Sequence, residues 1–138
     1  MSRNFRAHPS ALHEIRTFVK DQADGEGFPR SAVDDLVLAV SEAAANSIVH
    51  TNTAAVEIQC RVSSHVVEVQ IRDQGVFRRR VAMPDIDGHG RGIPLMTALV
   101  DELTIKEGTP HRPGTLVRLV KHRDPEPTAA APKAGRAS

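Results

Sequence analysis

Hydrophobic residues recur at helical spacing in two segments near the start of the sequence. The first segment follows Pro9 and Ser10 and predicts a helix over residues 11–23. The second opens at Ser31, which together with Asp34 in place of the usual Glu resembles a capping box, and predicts a helix that ends near His50. The apolar positions are Leu12, Ile15, Phe18 and Val19 in the first helix, and Val33, Leu36, Val37, Val40, Ala44 and Ile48 in the second.

Apolar and polar residues then alternate one by one, which is the pattern of half-buried strands. The alternation predicts a hairpin whose two strands meet at a turn containing Ser63 and Ser64. Its apolar positions are Val56, Ile58, Cys60 and Val62 in one strand, and Val67, Val69 and Ile71 in the other. Further along, the sequence predicts an irregular stretch over residues 77–92, a short helix over 93–100, and closing strands over 103–107 and 115–121.

This order of helices and hairpins indicates the fold class. Helices segregated from antiparallel hairpins favour a two-layer α/β sandwich, with helices on one face of a mixed, mostly antiparallel sheet. The sequence has neither a regular β-α-β alternation nor the glycine-rich phosphate loops that accompany doubly wound nucleotide folds. Residues 1–123 are predicted to form one domain. Residues 124–138 are rich in proline, alanine and small polar residues, and are predicted to be a disordered tail.

Composition narrows the classes of function. The net charge of +1 provides no field that would attract nucleic acid or an acidic membrane, and tryptophan and tyrosine, which could stack on bases, are absent. No run of 18 apolar residues predicts a membrane span. Cys60 is the single cysteine, which excludes an internal disulfide and a cysteine zinc site, and we expect a cytoplasmic protein.

The second predicted helix carries the first candidate chemistry. Glu42, Asn46 and His50 recur every four residues and therefore share a helical face. A carboxylate can accept a proton and an amide oxygen suits Mg²⁺. The three alanines between Glu42 and Asn46 would leave room for a bulky ligand near the helix. The alternative is the solvated polar edge of an amphipathic helix.

A second candidate lies where a predicted strand ends. The parity of the strand carries Asp73 toward the same apolar face as Ile71. A carboxylate turned inward needs hydrogen-bond donors, and the amine of adenine is one such donor. Gly75 would let the base approach the backbone, although an ordinary Asp-x-Gly turn is the alternative.

A third candidate is a glycine-rich loop that runs into the third predicted helix. Its glycines permit unusual backbone angles, and the free N–H groups at the start of a helix can hold phosphate oxygens. The loop and first turn contain Gly88, Gly90, Arg91, Gly92 and Ile93. A weaker signal, Gly114 followed by Thr115, opens the last predicted strand.

Taken in this order, the motifs Glu-x-x-x-Asn, Asp-x-Gly, Gly-x-Gly and Gly-Thr resemble the four boxes of the GHKL ATPase superfamily, whose α/β sandwich is called the Bergerat fold. Within it, SEAAANSIVH and GRGIPLM are most similar to bacterial anti-sigma factor serine kinases. The resemblance implies Glu42 as the general base, Asn46 as a ligand of Mg²⁺ and Asp73 as the partner of the adenine amine. The ATP-binding set that it implies is Asn46, Asp73, Gly75, Gly88, Gly90, Arg91, Gly92, Ile93, Gly114 and Thr115.

The resemblance also implies protein partners. In the family, the kinase phosphorylates a serine of a small anti-anti-sigma (STAS-type) protein and alternatively binds a sigma factor, and relatives often form homodimers. A nucleotide-binding interaction module without kinase activity is the alternative. A histidine kinase catalytic domain is disfavoured, since the sequence before Ser31 is too short for a phosphoacceptor segment.

The sequence departs from the family pattern after the Asp-x-Gly motif. Many relatives have a second glycine there, whereas Val76 and Phe77 follow Gly75 in this chain. Three consecutive arginines come next and would neutralise phosphate, face an acidic partner or form a solvated surface run. These residues are Arg78, Arg79 and Arg80.

Overall fold

Five strands, three α-helices and one 3-10 turn make up the described part of the chain. The structure is a computed structural model that describes residues 1–75, 92–109 and 111–123. The elements are β1 (Ser2–Arg6), the 3-10 turn (Pro9–Ala11), α1 (Leu12–Asp24), α2 (Arg30–His50), β2 (Ala55–Val62), β3 (Val66–Asp73), α3 (Gly92–Leu99), β4 (Glu102–Glu107) and β5 (Thr115–His122). Gly88, Gly90, Arg91, the three arginines at 78–80 and the predicted tail at 124–138 lie outside the described residues.

The strands form one sheet in the order β1-β2-β3-β5-β4. All four pairings in the described residues are antiparallel, so the sheet is more uniform there than the predicted mixed sheet. Helices α1 and α2 both pack against the sheet, and α3 packs against α2. The predicted two-layer α/β sandwich is therefore confirmed.

Alternation along the strands separates a dry face from a charged face. Ile58, Ile71 and Leu119 are fully buried under the helices, and burial of such side chains is the main stabilising contribution to the fold. On the opposite face Arg118 forms ion pairs with Glu68 and with Glu102, the latter at 3.3 Å. The helices therefore cover one face of the sheet, and the candidate chemistry predicted on α2 lies on the helical layer.

Strand β1 is an element that the sequence pattern did not predict. Its sequence contains a single buried apolar residue, Phe5, so no alternation is visible. Phe5 packs edge-on against Phe18 of α1 with ring centroids 5.9 Å apart. Pairing with β2 and this one contact hold an edge strand that local pattern alone could not reveal.

The start of α2 also corrects a prediction. The helix begins at Arg30 after Pro29, and no side chain caps it, so the capping box at Ser31 is wrong. Pro29 fixes the extended backbone conformation before the first turn, and its carbonyl accepts the first helical hydrogen bond from Val33 N at 3.0 Å. Ser31 lies inside that turn as an exposed residue.

Lys121 of β5 holds the two layers together near α3. Its ammonium donates to the carbonyl of Leu99, the last residue of α3, at 2.8 Å and pairs with Asp35 of α2 at 3.4 Å. A cation at a helix C-terminus is favoured by the helix dipole.

None of the helices in residues 1–75, 92–109 and 111–123 has the length and apolarity needed to span a membrane.

Candidate functional site

The polar face of α2 forms one wall of the candidate site. Glu42, Asn46 and His50 are each half-buried along this helix, as their spacing predicts. Of the three alanines between Glu42 and Asn46, Ala43 and Ala44 are buried in the core, whereas Ala45 is half-buried. The small size of Ala43 and Ala44 therefore allows α2 to pack closely against its neighbours, and room for a ligand at Ala45 stays a prediction.

Asp73 is the central residue of the site. It ends β3 with 1% of its surface exposed, so the predicted inward orientation is confirmed. Ser47 Oγ donates to Asp73 Oδ2 at 2.6 Å, and the backbone N–H of Gly75 donates to Asp73 Oδ1 at 3.1 Å. The backbone of Thr115 supplies a further hydrogen bond to this carboxylate.

Burial and hydrogen bonding act in opposite directions on this carboxyl group. Burial raises the pKa of Asp73 above its ordinary value, because the charged form loses its water, and the hydrogen bonds from Ser47, Gly75 and Thr115 lower it by a smaller amount. All three donors are neutral groups. Within the described part of the chain, the hydrogen-bond partners of this buried carboxylate are therefore dipoles and include no cation.

The number of donors shows what Asp73 can still bind. An ionised carboxylate offers about four acceptor positions. Ser47, Gly75 and Thr115 use three of them. The described residues leave one position for a further donor, and an exocyclic amine fits that requirement. The residues present therefore suit an adenine base.

Gly75 is required by the protein's own packing. A β-carbon at this position would lie 2.7 Å from Thr51 Oγ1 and 2.7 Å from Thr53 N. The connection between α2 and β2 thus occupies the space that a side chain would need. The predicted contact of Gly75 with a base remains a prediction, and the structure adds a second reason for glycine there.

Gly114 and Thr115 meet Asp73 from the neighbouring strand. Thr115 is buried and is the register partner of Asp73 across β3 and β5. Gly114 has a φ of +135°, and a β-carbon there would lie 2.7 Å from the carbonyl oxygen of Asp73. Only glycine combines this backbone angle with this close approach. The weak Gly-Thr motif thus adjoins the Asp-x-Gly motif in space.

Two buried polar residues of the site were not singled out from the sequence. Ser47 is 1% exposed and contacts Asp73, while Thr51 Oγ1 donates to the Ser47 carbonyl at 2.6 Å and accepts from Thr53 N at 3.1 Å. The signal that could have revealed Ser47 is its position on the apolar stripe of α2, in helical register with Val40 and Ala44. A hydroxyl on a buried stripe needs a buried partner.

A cavity of about 320 Å³ opens at the same end of the sheet. Asp73, Gly114 and Thr115 contribute to its lining, together with the basic side chains of Arg72 and Arg112. Ile93, in the first turn of α3, packs against the core. The predicted phosphate loop between residues 88 and 91 lies outside the described residues.

Asn46 is the candidate ligand for Mg²⁺. In residues 1–75, 92–109 and 111–123 no group of three or more His, Cys, Asp or Glu residues could hold a metal ion. Mg²⁺ in nucleotide sites is held mainly by phosphates and water, with one or two protein oxygens. A single amide oxygen at the half-buried Asn46 fits that kind of binding.

Comparisons with known proteins point to one domain family. The sequence matches the histidine kinase-like ATPase domain family over residues 5–121. It is 32% identical over 96 residues to the Anti-sigma F factor of Bacillus velezensis, covering 60% of this chain and 64% of the relative. It is 29% identical over 87 residues to the Anti-sigma F factor of Clostridium novyi, covering 54% of this chain and 61% of the relative.

A solved structure shows the same fold. The RsbU and RsbW domains of Rv1364c from Mycobacterium tuberculosis superpose with a TM-score of 0.67 at 18% identity, covering 88% of this chain and 32% of that chain. The segments matched in the two Anti-sigma F factors span 64% and 61% of those proteins, somewhat less than two thirds of their length.

Proposed function

Because the chain belongs to the histidine kinase-like ATPase domain family, we propose that it binds Mg²⁺-ATP and acts as an anti-sigma factor with protein serine kinase activity. The observation that carries the ATP site is Asp73, a buried carboxylate to which the described residues leave one acceptor position, with Gly114 and Thr115 beside it. The anti-sigma role is supported by the two relatives named Anti-sigma F factor.

The residues of α2 have distinct roles in this proposal. Asn46 would hold Mg²⁺, which supplies charge neutralisation at the phosphates when it is bound. Glu42 would accept the proton of the partner's serine hydroxyl as that oxygen forms its bond to the γ-phosphorus and the bond to the ADP oxygen breaks. Both side chains are half-buried on one face of α2, which keeps them accessible to a ligand.

The phosphate acceptor in this proposal is a serine of an anti-anti-sigma (STAS-type) protein, and a sigma factor is the alternative partner. Such a switch requires that the two partners differ in affinity for the nucleotide-bound and nucleotide-free states. In the glycine-rich loop that runs into α3, Gly88, Gly90, Arg91 and Gly92 would bind phosphate, as the sequence motif indicates. A homodimer also remains a prediction.

Phosphoryl transfer to a STAS-type protein from radiolabelled ATP tests the kinase role. The wild-type protein should label a serine of its partner, and Glu42→Gln should keep ATP binding while transfer falls by two orders of magnitude or more, as expected for loss of a general base (roughly 10²–10⁴-fold). Glu14→Gln, an exposed change on α1, is the matched control and should transfer normally.

Two outcomes would separate the parts of the proposal. Normal transfer by Glu42→Gln would show that Glu42 is not the base. A wild-type protein that binds ATP and its partners, yet labels none of them, would favour an ATP-binding interaction module without kinase activity.

A further inference from the structure

Ser47 holds an unusual place beside the candidate base-binding carboxylate. It lies on the buried side of α2, one residue after the candidate metal ligand Asn46, and only 1% of its surface is exposed. Its hydroxyl donates to Asp73 Oδ2 at 2.6 Å. This contact joins the helical layer to the end of β3 inside the site.

We infer that Ser47 is a positioning residue for recognition of the purine base: its hydroxyl fixes the Asp73 carboxylate in the orientation that accepts a hydrogen bond from a 6-amino group. The inference rests on the proposed ATP site and adds to it a residue that reads the base through Asp73.

The geometry explains what an anchor on the helical side adds to the donors Gly75 and Thr115. The torsion that turns a carboxylate about its Cβ–Cγ bond is broad and roughly two-fold, so one hydrogen bond leaves considerable freedom. Gly75 N holds Oδ1 from the following loop, and Ser47 Oγ holds Oδ2 from α2. With both oxygens held from different sides, the remaining acceptor position has a defined direction.

The direction of the hydrogen bond also determines which bases fit. A hydroxyl can donate one hydrogen bond. Ser47 donates it to Asp73, so the Ser47 oxygen can otherwise only accept. Asp73 is likewise an acceptor when ionised. A base that presents an amine at carbon 6 meets a complementary acceptor, whereas a 6-oxo base would place its carbonyl oxygen against the Asp73 carboxylate and be rejected.

The side chain of Ser47 can be changed without removing the local backbone contact. Thr51 Oγ1 donates to the Ser47 carbonyl at 2.6 Å, and this bond closes the end of α2 without using the Ser47 hydroxyl. Ser47→Ala therefore removes the link to Asp73 selectively and leaves Gly75 and Thr115 as donors to the carboxylate.

The experiment compares two nucleotides on the full chain. ATP and purine riboside triphosphate differ by the 6-amino group alone, and each is titrated with Mg²⁺ by calorimetry. We expect the wild-type protein to bind ATP more tightly. In Ser47→Ala, affinity for ATP should fall about tenfold, as expected for a lost hydrogen bond to a charged group, while affinity for the analogue should change less than about twofold.

Two further variants complete the design. Ser47→Cys is nearly the same size and keeps only a weak donor, so it should show the same selective loss to a smaller degree and serves if the alanine variant does not fold. Ser41→Ala removes a hydroxyl of the same helix that accepts from Arg16 at 3.0 Å and should leave both affinities unchanged.

The outcomes distinguish this inference from the proposed function. Equal losses for ATP and the analogue in the Ser47 variants, or no loss for either, would overturn the role of Ser47 while wild-type ATP binding stood. A wild-type protein that bound neither nucleotide would contradict the ATP site itself, and the role of Ser47 with it.

Discussion

The backbone at Gly114 lies against Asp73 so closely that a β-carbon at residue 114 would be 2.7 Å from the Asp73 carbonyl oxygen. This approach places the first residues of β5 beside the end of β3, where Thr115 pairs with Asp73. Two short motifs far apart in sequence thereby form one end of the sheet. Their contact sets the position of the buried carboxylate that the proposed ATP site needs.

Gly114→Ala should destabilise the fold. The substitution forces a φ of +135° on a residue with a β-carbon and pushes that carbon into the Asp73 carbonyl. We expect a loss of about 2 kcal/mol or more in the free energy of unfolding, measured by urea denaturation. Gly25→Ala is the matched control, because its φ is −60° and its nearest atoms would be at 3.5 Å. Equal stability of the two variants would contradict the packing at Gly114.

The buried Asp73 should make stability depend on pH with a definite sign. Burial raises the pKa of this carboxyl in the folded state, so between the unfolded and the folded pKa the folded protein binds more protons. Its contribution to stability is therefore full below the unfolded pKa and is lost as pH rises through the folded pKa. Above the folded pKa, Asp73 is ionised in both states and stability no longer changes with pH through this group.

The measurement compares wild type with Asp73→Asn, which cannot ionise. The stability of the wild-type protein relative to the variant should fall as pH rises through this window, whatever constant cost the amide introduces. Urea denaturation across the acidic range gives the difference. Glu42 and His50 on α2 are present in both proteins, so titration that does not depend on Asp73 cancels. A relative stability that rose with pH would show that hydrogen bonding outweighs burial at Asp73.

Cys60 should be inert in the folded protein. It is 2% exposed, and burial raises the pKa of its thiol to about 11. Since the thiolate is the reactive form, a thiol reagent at pH 8 should modify the native protein very slowly and the urea-unfolded protein at once. Rapid labelling of the native protein would contradict the burial of β2 beneath the helices.

Lys121→Met should lower stability by detaching the end of α3. The substitution removes the 2.8 Å bond to the Leu99 carbonyl and the ion pair with Asp35, where the lysine side chain is 17% exposed. We expect a loss of about 1.5–3 kcal/mol in the free energy of unfolding. Lys20→Met breaks an exposed pair with Asp24 on α1 and should stay within about 0.5 kcal/mol of wild type. Equal effects of the two changes would contradict the role of Lys121.

Periodicity predicted most of the elements because each buries one face. Strand parity predicted that Asp73 points inward, and its burial confirms this. Helical spacing predicted one shared face of α2 for Glu42, Asn46 and His50, and all three are half-buried on that helix. β1 was not predicted because it is held by pairing with β2 and by the contact of Phe5 with Phe18. The pattern of residues within β1 alone does not show these distant contacts.

The site was harder to predict than the fold because its contacts join distant segments. In the sequence, Ser47 belongs to the apolar stripe of α2. Its role depends on a hydrogen bond to Asp73, which lies far along the chain. Gly75 was predicted from its motif to leave room for a base, and the structure adds a second reason for glycine, since a side chain there would meet Thr51 and Thr53. Register between strands and packing between layers decide such contacts, and neither follows from spacing within one segment.

Calorimetric titration of the wild-type protein and Asp73→Asn with Mg²⁺-ATP and Mg²⁺-GTP addresses the ATP site itself. We expect the wild-type protein to bind ATP in preference to GTP, and Asp73→Asn to bind ATP at least about tenfold more weakly, because its amide can no longer accept as a carboxylate does. Absence of binding at millimolar ATP, or equal affinity of the two proteins for ATP, would contradict an adenine site at Asp73.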